Sequence, residues 1–336
     1  MLARLKFDLD ELANEILDRM DQSLFERDDT TFLDPAMAGG QLLKVVESRL
    51  RLHGHSDKNI NKRVFGVPEN PLHIGFARKK NNLVCQIIKK EELNTDMKFD
   101  IIIGNPPFQA SHGNGDRKDQ ASNLWTRFWA DTITKSNSNT KIALITPTSW
   151  LSPSGDLKGD AKVGGEGRLW NIFNKYSSVA NVTDVEKHFA GVGSTFGYVI
   201  VDKNGSDGLS FSDGSDTRLG FLPKSGNDFV INNICGDTTL SDEFKINQSN
   251  DKQLRVSIPL TRKVESDSVE ILHATDAAPL SGTDKDGLFL YVYCSTINES
   301  ENVRKRIIEC KEILNTHCRW SGFMNIQILR SVNYVG

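Results

Sequence analysis

With 336 residues, 38% of them hydrophobic and 25% charged, the chain has the composition of an ordinary globular protein with room for two modest cores. A formal net charge of −3 excludes a bulk positive field, so any contact with nucleic acid must come from Arg and Lys gathered on one face. No stretch has the unbroken apolar length of a bilayer crossing, and the five scattered cysteines form no CxxC pair, so a cytoplasmic protein with reduced thiols is expected. His317 and Cys318, with Cys310 upstream, lack the further ligands of a zinc site, and no metal is expected.

Leu9, Leu12, Ile16, Leu17 and Met20 fall at helical spacing and predict a helix over 9–25. Thr31-Phe32-Leu33 reads as a strand ending in Asp34-Pro35 and a small-residue turn, after which Leu42, Leu43, Val46 and Leu50 predict a helix over 41–52. Strands are then expected at 63–67, 83–88, 99–103 and 142–146, with helices at 72–80 and 124–133. This alternation predicts an α/β fold, a mostly parallel sheet with helices on both faces. Residues 153–167 read as an exposed loop, 169–176 as a helix, and 179–185 and 196–201 as strands. From Asn204 the composition shifts to Gly, Ser, Asp and Asn, with β-like runs at 229–231, 254–258 and 288–293 and one helix at 302–313. A boundary near Lys203 and a smaller C-terminal α+β domain follow.

Phe32 to Gly40 is a strand feeding a turn of small residues that opens a helix, which lets backbone N–H groups approach a ligand; a plain strand-to-helix turn is the alternative. Glu69 follows the second strand, where nucleoside-binding sheets often hold ribose hydroxyls; a solvated turn carboxylate is the alternative. Phe99-Asp100-Ile101-Ile102-Ile103-Gly104-Asn105-Pro106-Pro107-Phe108 is more specific. An apolar strand ends in an amide, two prolines and an aromatic ring. The prolines fix φ and remove two N–H donors, leaving a rigid loop with carbonyls free to accept. The Asn105 side-chain oxygen and a backbone carbonyl, with Pro106 the candidate, can accept both hydrogens of an exocyclic amine and draw its lone pair out of conjugation. Phe108 offers a face on which an extruded base stacks. An Asn-Pro turn with a core Phe is the alternative.

Through Asp34 to Gly40, Gly66 to Pro71, Phe99 to Phe108, Lys141 to Pro147 leading to Ser149-Trp150-Leu151, and Phe189 to Tyr198 with its Gly193-Ser194-Thr195-Phe196, the chain resembles the N6-adenine DNA methyltransferases of restriction-modification systems, particularly the gamma class. The resemblance spans roughly residues 10–201. It implies a Rossmann-like methyltransferase domain in 1–203 and a target-recognition domain in 204–336. It also implies S-adenosyl-L-methionine as cofactor, double-stranded DNA with the target adenine flipped out as substrate, direct methyl transfer, and a restriction endonuclease as partner chain.

Asn105, Pro106, Pro107 and Phe108 are then the catalytic residues, and Asp34, Ala36, Gly39, Gly40, Glu69, Glu91 and Asn105 face the cofactor. Phe108, Arg117, Lys118 and Phe196 face the DNA, the two cations on the glycine-bearing stretch 109–122 meeting phosphates. Met37, Ala38 and Gly39 depart from the family's Cys-Gly-Ser, and Pro68 stands where many relatives carry the ribose acid, leaving Glu69. For the acid that contacts the cofactor's adenine ring, Glu91 and Glu92 are both candidates. Cytosine-C5 chemistry would need a nucleophilic Cys in a Pro-Cys loop, which is absent. A methyltransferase for RNA or for release-factor glutamine shares the Asn-Pro-Pro-aromatic loop, but typically carries its extra domain ahead of the cofactor motif. An inactive DNA-binding subunit with this fold is the remaining alternative.

Overall fold

Long apolar runs such as Ile101-Ile102-Ile103 and Ile142-Ala143-Leu144-Ile145 are what strands buried on both faces require. The computed structural model describes residues 9–93, 97–107, 124–151, 163, 166–182, 185, 188, 196–215, 227–247, 254–273, 289–320, 323–324 and 326–334. The chain divides into two compact units, Met1–Gly214 and Ser215–Gly336.

In the first unit the elements run α1 (Leu9–Asp18), α2 (Ser23–Glu26), β1 (Phe32–Met37), α3 (Gln41–Leu52), α4 (Asp57–Arg63), β2 (Val64–Pro68), α5 (Pro71–Gly75), β3 (Gln86–Ile87), β4 (Ile101–Gly104), α6 (Leu124–Lys135), β5 (Lys141–Pro147), α7 (Leu169–Phe173), β6 (Ser177–Asn181), β7 (Phe196–Asp202) and β8 (Leu209–Phe211). The eight strands form one sheet in the order β3-β2-β1-β4-β5-β7-β6-β8. Only β7 runs against its neighbours, so the α/β expectation holds. The chain leaves β1 outward to β2 and β3, then returns to the other side of β1 with β4 and β5, which makes the β1/β4 pair the point where strand order reverses.

Alternation along the strands divides the core. Ile101 and Ile103 of β4, with Ala143 and Ile145 of β5, join α1, α2 and α3 in one cluster. Ile102, Ile142 and Leu144 point the other way, toward the face on which α6 packs against β5. There Trp129 meets Phe173 edge-on at 4.8 Å, and Trp150 lies stacked over Phe211 at 6.0 Å. On the first face Glu15 of α1 accepts hydrogen bonds from Tyr198 (2.9 Å) and Asn181 (2.7 Å), tying the N-terminal helix to β6 and β7.

Several expected boundaries move. The helix expected over 9–25 is two helices, α1 and α2. The helix expected over 72–80 begins a residue earlier, with Pro71 at its first position and Asn70 capping it, and continues as a π-helical turn, Phe76–Lys80. The strand expected over 83–88 shrinks to β3, because the Val84 and Cys85 N–H groups donate to Glu47 instead of to a neighbouring strand. The first unit extends past Lys203 to Gly214, since β8 adds itself in parallel beside β6.

The second unit comprises α8 (Asn227–Ile234), α9 (Leu240–Glu243), β9 (Lys245–Ile246), β10 (Leu254–Pro259), β11 (Glu270–His273), β12 (Phe289–Cys294), α10 (Ile297–Glu309), α11 (Lys311–His317), β13 (Arg319–Trp320), β14 (Phe323–Met324) and α12 (Ile326–Arg330). Its main sheet, β11-β10-β12-β9, is antiparallel throughout, and α10 packs on it. The strand expected at 229–231 is instead helix α8, in which the buried Val230 and Ile234 lie one turn apart. The single helix expected at 302–313 is two, parted at Cys310, and α10 starts earlier behind a Thr296–Glu299 capping box.

Glu47 is the strap that fixes the segment between α5 and β3. Its carboxylate is fully buried on α3 and accepts from Val84 N (2.9 Å), Cys85 N (2.8 Å) and the Arg51 guanidinium (2.9 Å). Glu47→Ala leaves buried donors without an acceptor and is expected to cost on the order of 3 kcal/mol, measured as a lowered midpoint of urea unfolding with an unchanged slope.

Candidate active site

The carboxyl ends of β1, β2, β4 and β5 share one edge of the sheet, and Asp34, Ala36, Glu69 and Asn105 lie at or just past the strand ends there. β1 carries Asp34 and Pro35 into an irregular register between Asp34 and Met37, as a proline without an N–H requires. The freed Asp34 carboxylate turns back to accept the Ala36 N–H at 3.0 Å. It is 3% exposed, and a Cβ built on Gly104 would lie 3.4 Å from its Oδ1, so the ends of β1 and β4 meet at this carboxylate. Burial pushes the Asp34 carboxyl up to about 7; the Ala36 N–H opposes the rise, and the negative charge of Glu69 adds to it.

Beyond Asp34 the turn reaches Gly40 with φ of +80°, a left-handed conformation that glycine adopts freely, and a Cβ there would meet Leu83 Cδ1 at 2.4 Å. Ala38 is exposed and not among the residues of positive φ, so an alanine is accommodated there without backbone strain. Met37 is fully buried, with its Sδ 2.5 Å from where a Cβ on Gly66 of β2 would stand. The Gly39 carbonyl accepts from Asn81 Nδ2 at 2.5 Å, and α3 begins directly afterwards with no side-chain cap on its first N–H groups. Asn81 did not figure among the predicted residues; the pair Asn81-Asn82, the second at φ of +51°, is the turn signal that marks it.

Glu69 is exposed immediately past β2. Glu91 is exposed in the short 3₁₀ turn Lys90–Glu92 beyond β3. Glu92 closes that turn by accepting the Lys89 N–H at 2.7 Å, which leaves Glu91 the unengaged acid of the pair among the described residues.

Asn105 directly follows β4, whose last residue Gly104 pairs with Leu144 of β5. Pro106 is buried, and Asn105 and Pro107 are half-buried. The Asn105 Oδ1 atom is buried with no hydrogen-bond partner among the described residues. Leaving such an acceptor unsatisfied costs about 1–3 kcal/mol, which a ligand N–H can recover. Phe196 opens β7 opposite Pro147 and is buried in the core with Tyr198 and Val185. Phe108, Arg117 and Lys118 lie outside the described residues. Within the described residues no His, Cys, Asp or Glu side chains gather as a metal site, and no helix is long and apolar enough to cross a membrane.

Residues 42–161, just over a third of the chain, match the family described as Eco57I restriction-modification methylase. The matched stretch includes Gly66 to Pro71 and Asn105 to Phe108 and begins after the Asp34–Gly40 turn. No curated protein sequence matches the chain. Among solved structures, the M protein of the type I restriction enzyme EcoKI is similar, with TM-score 0.42 and 15% identity over 62% of this chain and 49% of its own. A Listeria monocytogenes protein assigned to the class I S-adenosylmethionine-dependent methyltransferases has TM-score 0.42 and 15% identity, over 62% of this chain and 66% of its own. A protein assigned as the modification subunit of a type I restriction enzyme in Vibrio vulnificus YJ016 has TM-score 0.37 and 13% identity, over 87% of this chain and 64% of its own. This chain thus spans less than two thirds of the length of each.

The raised carboxyl of Asp34 makes stability depend on pH in a definite direction. The unfolded chain loses this proton near 3.8 and the folded chain near 7, so between those values only the folded state holds it, and stability falls as pH rises through the window. Asp34→Asn removes this contribution. Urea unfolding at about pH 5 and about pH 8 is expected to show a smaller loss of stability in the variant than in the parent.

Proposed function

We propose that the chain transfers a methyl group from S-adenosyl-L-methionine to the N6 amine of adenine in double-stranded DNA, within a restriction-modification system. The observation that carries this is the Asn105 side-chain oxygen, buried and unpartnered among the described residues at the end of β4 and followed by two prolines. An acceptor held there does nothing for the fold and suits a ligand bearing N–H donors. Asn105 Oδ1 takes one hydrogen of the amine and the Pro106 carbonyl the other, which directs the nitrogen lone pair out of the ring plane. The rigid proline pair keeps both acceptors in place, so catalysis comes from orientation and from hydrogen bonds that strengthen as positive charge grows on nitrogen. The family match over 42–161 supports the restriction-modification setting.

The residues at the sheet edge fit the cofactor. Ala36, Gly39 and Gly40 bring backbone close to it, Asp34 offers a carboxylate to its cationic end, Glu69 accepts from ribose hydroxyls and Glu91 serves the adenine edge. When bound, the cofactor supplies a methyl group on an electrophilic sulfonium. Phe108 stacks on the flipped adenine, Phe196 backs the base pocket, and Arg117 and Lys118 meet the flanking phosphates. Residues 204–336 read the target sequence, and a restriction endonuclease is the partner chain.

Asn105→Ala is expected to lower methyl transfer to adenine-containing duplex by on the order of a hundredfold or more, with cofactor affinity by calorimetry close to the parent's. Near-parental transfer in that variant overturns the assignment. Glu69→Ala is expected to weaken cofactor binding in the same calorimetric measurement, and undiminished affinity would remove Glu69 from the ribose site.

A further inference from the structure

Asp34 stands where three strands meet. Its own strand β1 pairs it with Gly66 of β2, and on the other side Gly104 ends β4 with its Cβ position 3.4 Å from the Asp34 Oδ1 atom. It is the only buried aspartate among the described residues, and its one hydrogen bond there is the Ala36 N–H at 3.0 Å. The titratable groups that reach it are Glu69, past β2, and the Cys85 thiol, before β3. Glu69 adds negative charge, and burial pushes the Cys85 thiol up to about 12, which keeps it neutral. Among the described residues no Lys, Arg or His pairs with Asp34.

A carboxylate withdrawn from water with a single N–H donor, a second acid nearby and no counter-charge is less favourable than its neutral acid, so such a group keeps its proton. Burial accordingly pushes the Asp34 carboxyl up to about 7. At the same edge the Asn105 Oδ1 atom is a second buried acceptor, without a donor among the described residues. What completes this pair of acceptors is a positive charge that carries N–H donors.

We propose that cofactor loading is coupled to proton release: the free chain holds Asp34 as a neutral acid, and the cationic methionine end of S-adenosyl-L-methionine binds its anion and displaces the proton to solvent. The identity of the ligand rests on the proposed function. In this step the carboxyl O–H bond breaks, its electron pair stays on the oxygen, and water or buffer takes the proton. Linkage sets the sign. Below about pH 7 the cofactor must displace a proton, so affinity falls by up to about tenfold for each unit of acidification. Near neutrality and above, Asp34 is already ionised in the free chain and the coupling fades.

The test is calorimetry of S-adenosyl-L-methionine binding to the full chain at pH near 6, in phosphate and in imidazole, buffers of low and high ionisation heat. The difference in heat counts the protons released, and roughly 0.9 per cofactor is expected for a carboxyl that ionises on binding. Between about pH 5.5 and about pH 7, short of the range where the cofactor's own amine titrates, affinity is expected to rise about tenfold. Asp34→Asn keeps an acceptor for the Ala36 N–H but has no proton to lose. It is expected to bind weakly, with a flat pH profile and no proton release from this position. Should that variant not fold, carbon-13 spectra of aspartate-labelled parent at pH near 6 are expected to show one protonated carboxyl that ionises when the cofactor is added. Binding with the same heat in both buffers, an unchanged pH profile in a folded Asp34→Asn chain, or aspartates that are all ionised before cofactor is added overturns the inference. Cofactor binding without proton release sinks this inference alone. Proton-linked binding without methylation of adenine-containing duplex sinks the N6-adenine function alone, and no cofactor binding at any pH sinks both.

Discussion

Everything at the candidate site depends on the parallel pairing of β1 with β4. Phe32 opposite Ile101 and Leu33 opposite Ile102 set the two strands so that both run out at the same edge, Asp34 on one and Asn105 just past the other. A strand's side chains alternate with period two, so a slip of a single residue would turn Ile101 and Ile103 out of the core and carry Asp34 away from Gly104. The apolar core and the polar edge are thereby specified by the same hydrogen-bond register. Because parallel neighbours need a crossover between them, α3 and the segment held by Glu47 are part of that specification.

The polar edge is an unfavourable place for charge in the free protein. Asp34 lies under the turn with one backbone N–H to stabilise its anion, while the nearby carboxylate of Glu69 works against ionisation. Asn105 keeps a buried acceptor with nothing to accept from among the described residues. Two neighbouring groups are thus left incompletely satisfied by the fold, one wanting positive charge and the other an N–H donor. Sites of this kind store free energy that a complementary ligand releases on binding.

Much of the first unit was legible in the sequence because its signals are local. Helix α3 and strands β4 and β5 come from apolar spacing and unbroken apolar runs, and the Asn105-Pro106-Pro107 segment from residue types whose conformational limits travel with them. What was not legible depended on partners distant in the chain. Whether Val84 and Cys85 join a strand is decided by Glu47, and whether Glu91 or Glu92 stays available is decided by which one closes its own turn. In the second unit the run at Phe229 was too short for its period to separate strand from helix, and the burial of Val230 with Ile234 decides in favour of the helix. That the Asn105 oxygen is buried and unbonded is a property of packing, which spacing does not report.

The interlock of Met37 with Gly66 carries an evolutionary consequence. The sulfur of Met37 and the Cδ1 of Leu43 fill the space that any side chain at position 66 would claim, 2.5 and 2.9 Å from where its Cβ would stand, so the glycine in the second strand is tied to the bulk at both positions. Cysteine alone at 37 would leave a void beside β2, and alanine alone at 66 would collide with the sulfur. Among descendants of this chain, position 66 is expected to gain a side chain only where both 37 and 43 yield space, so the three positions drift together.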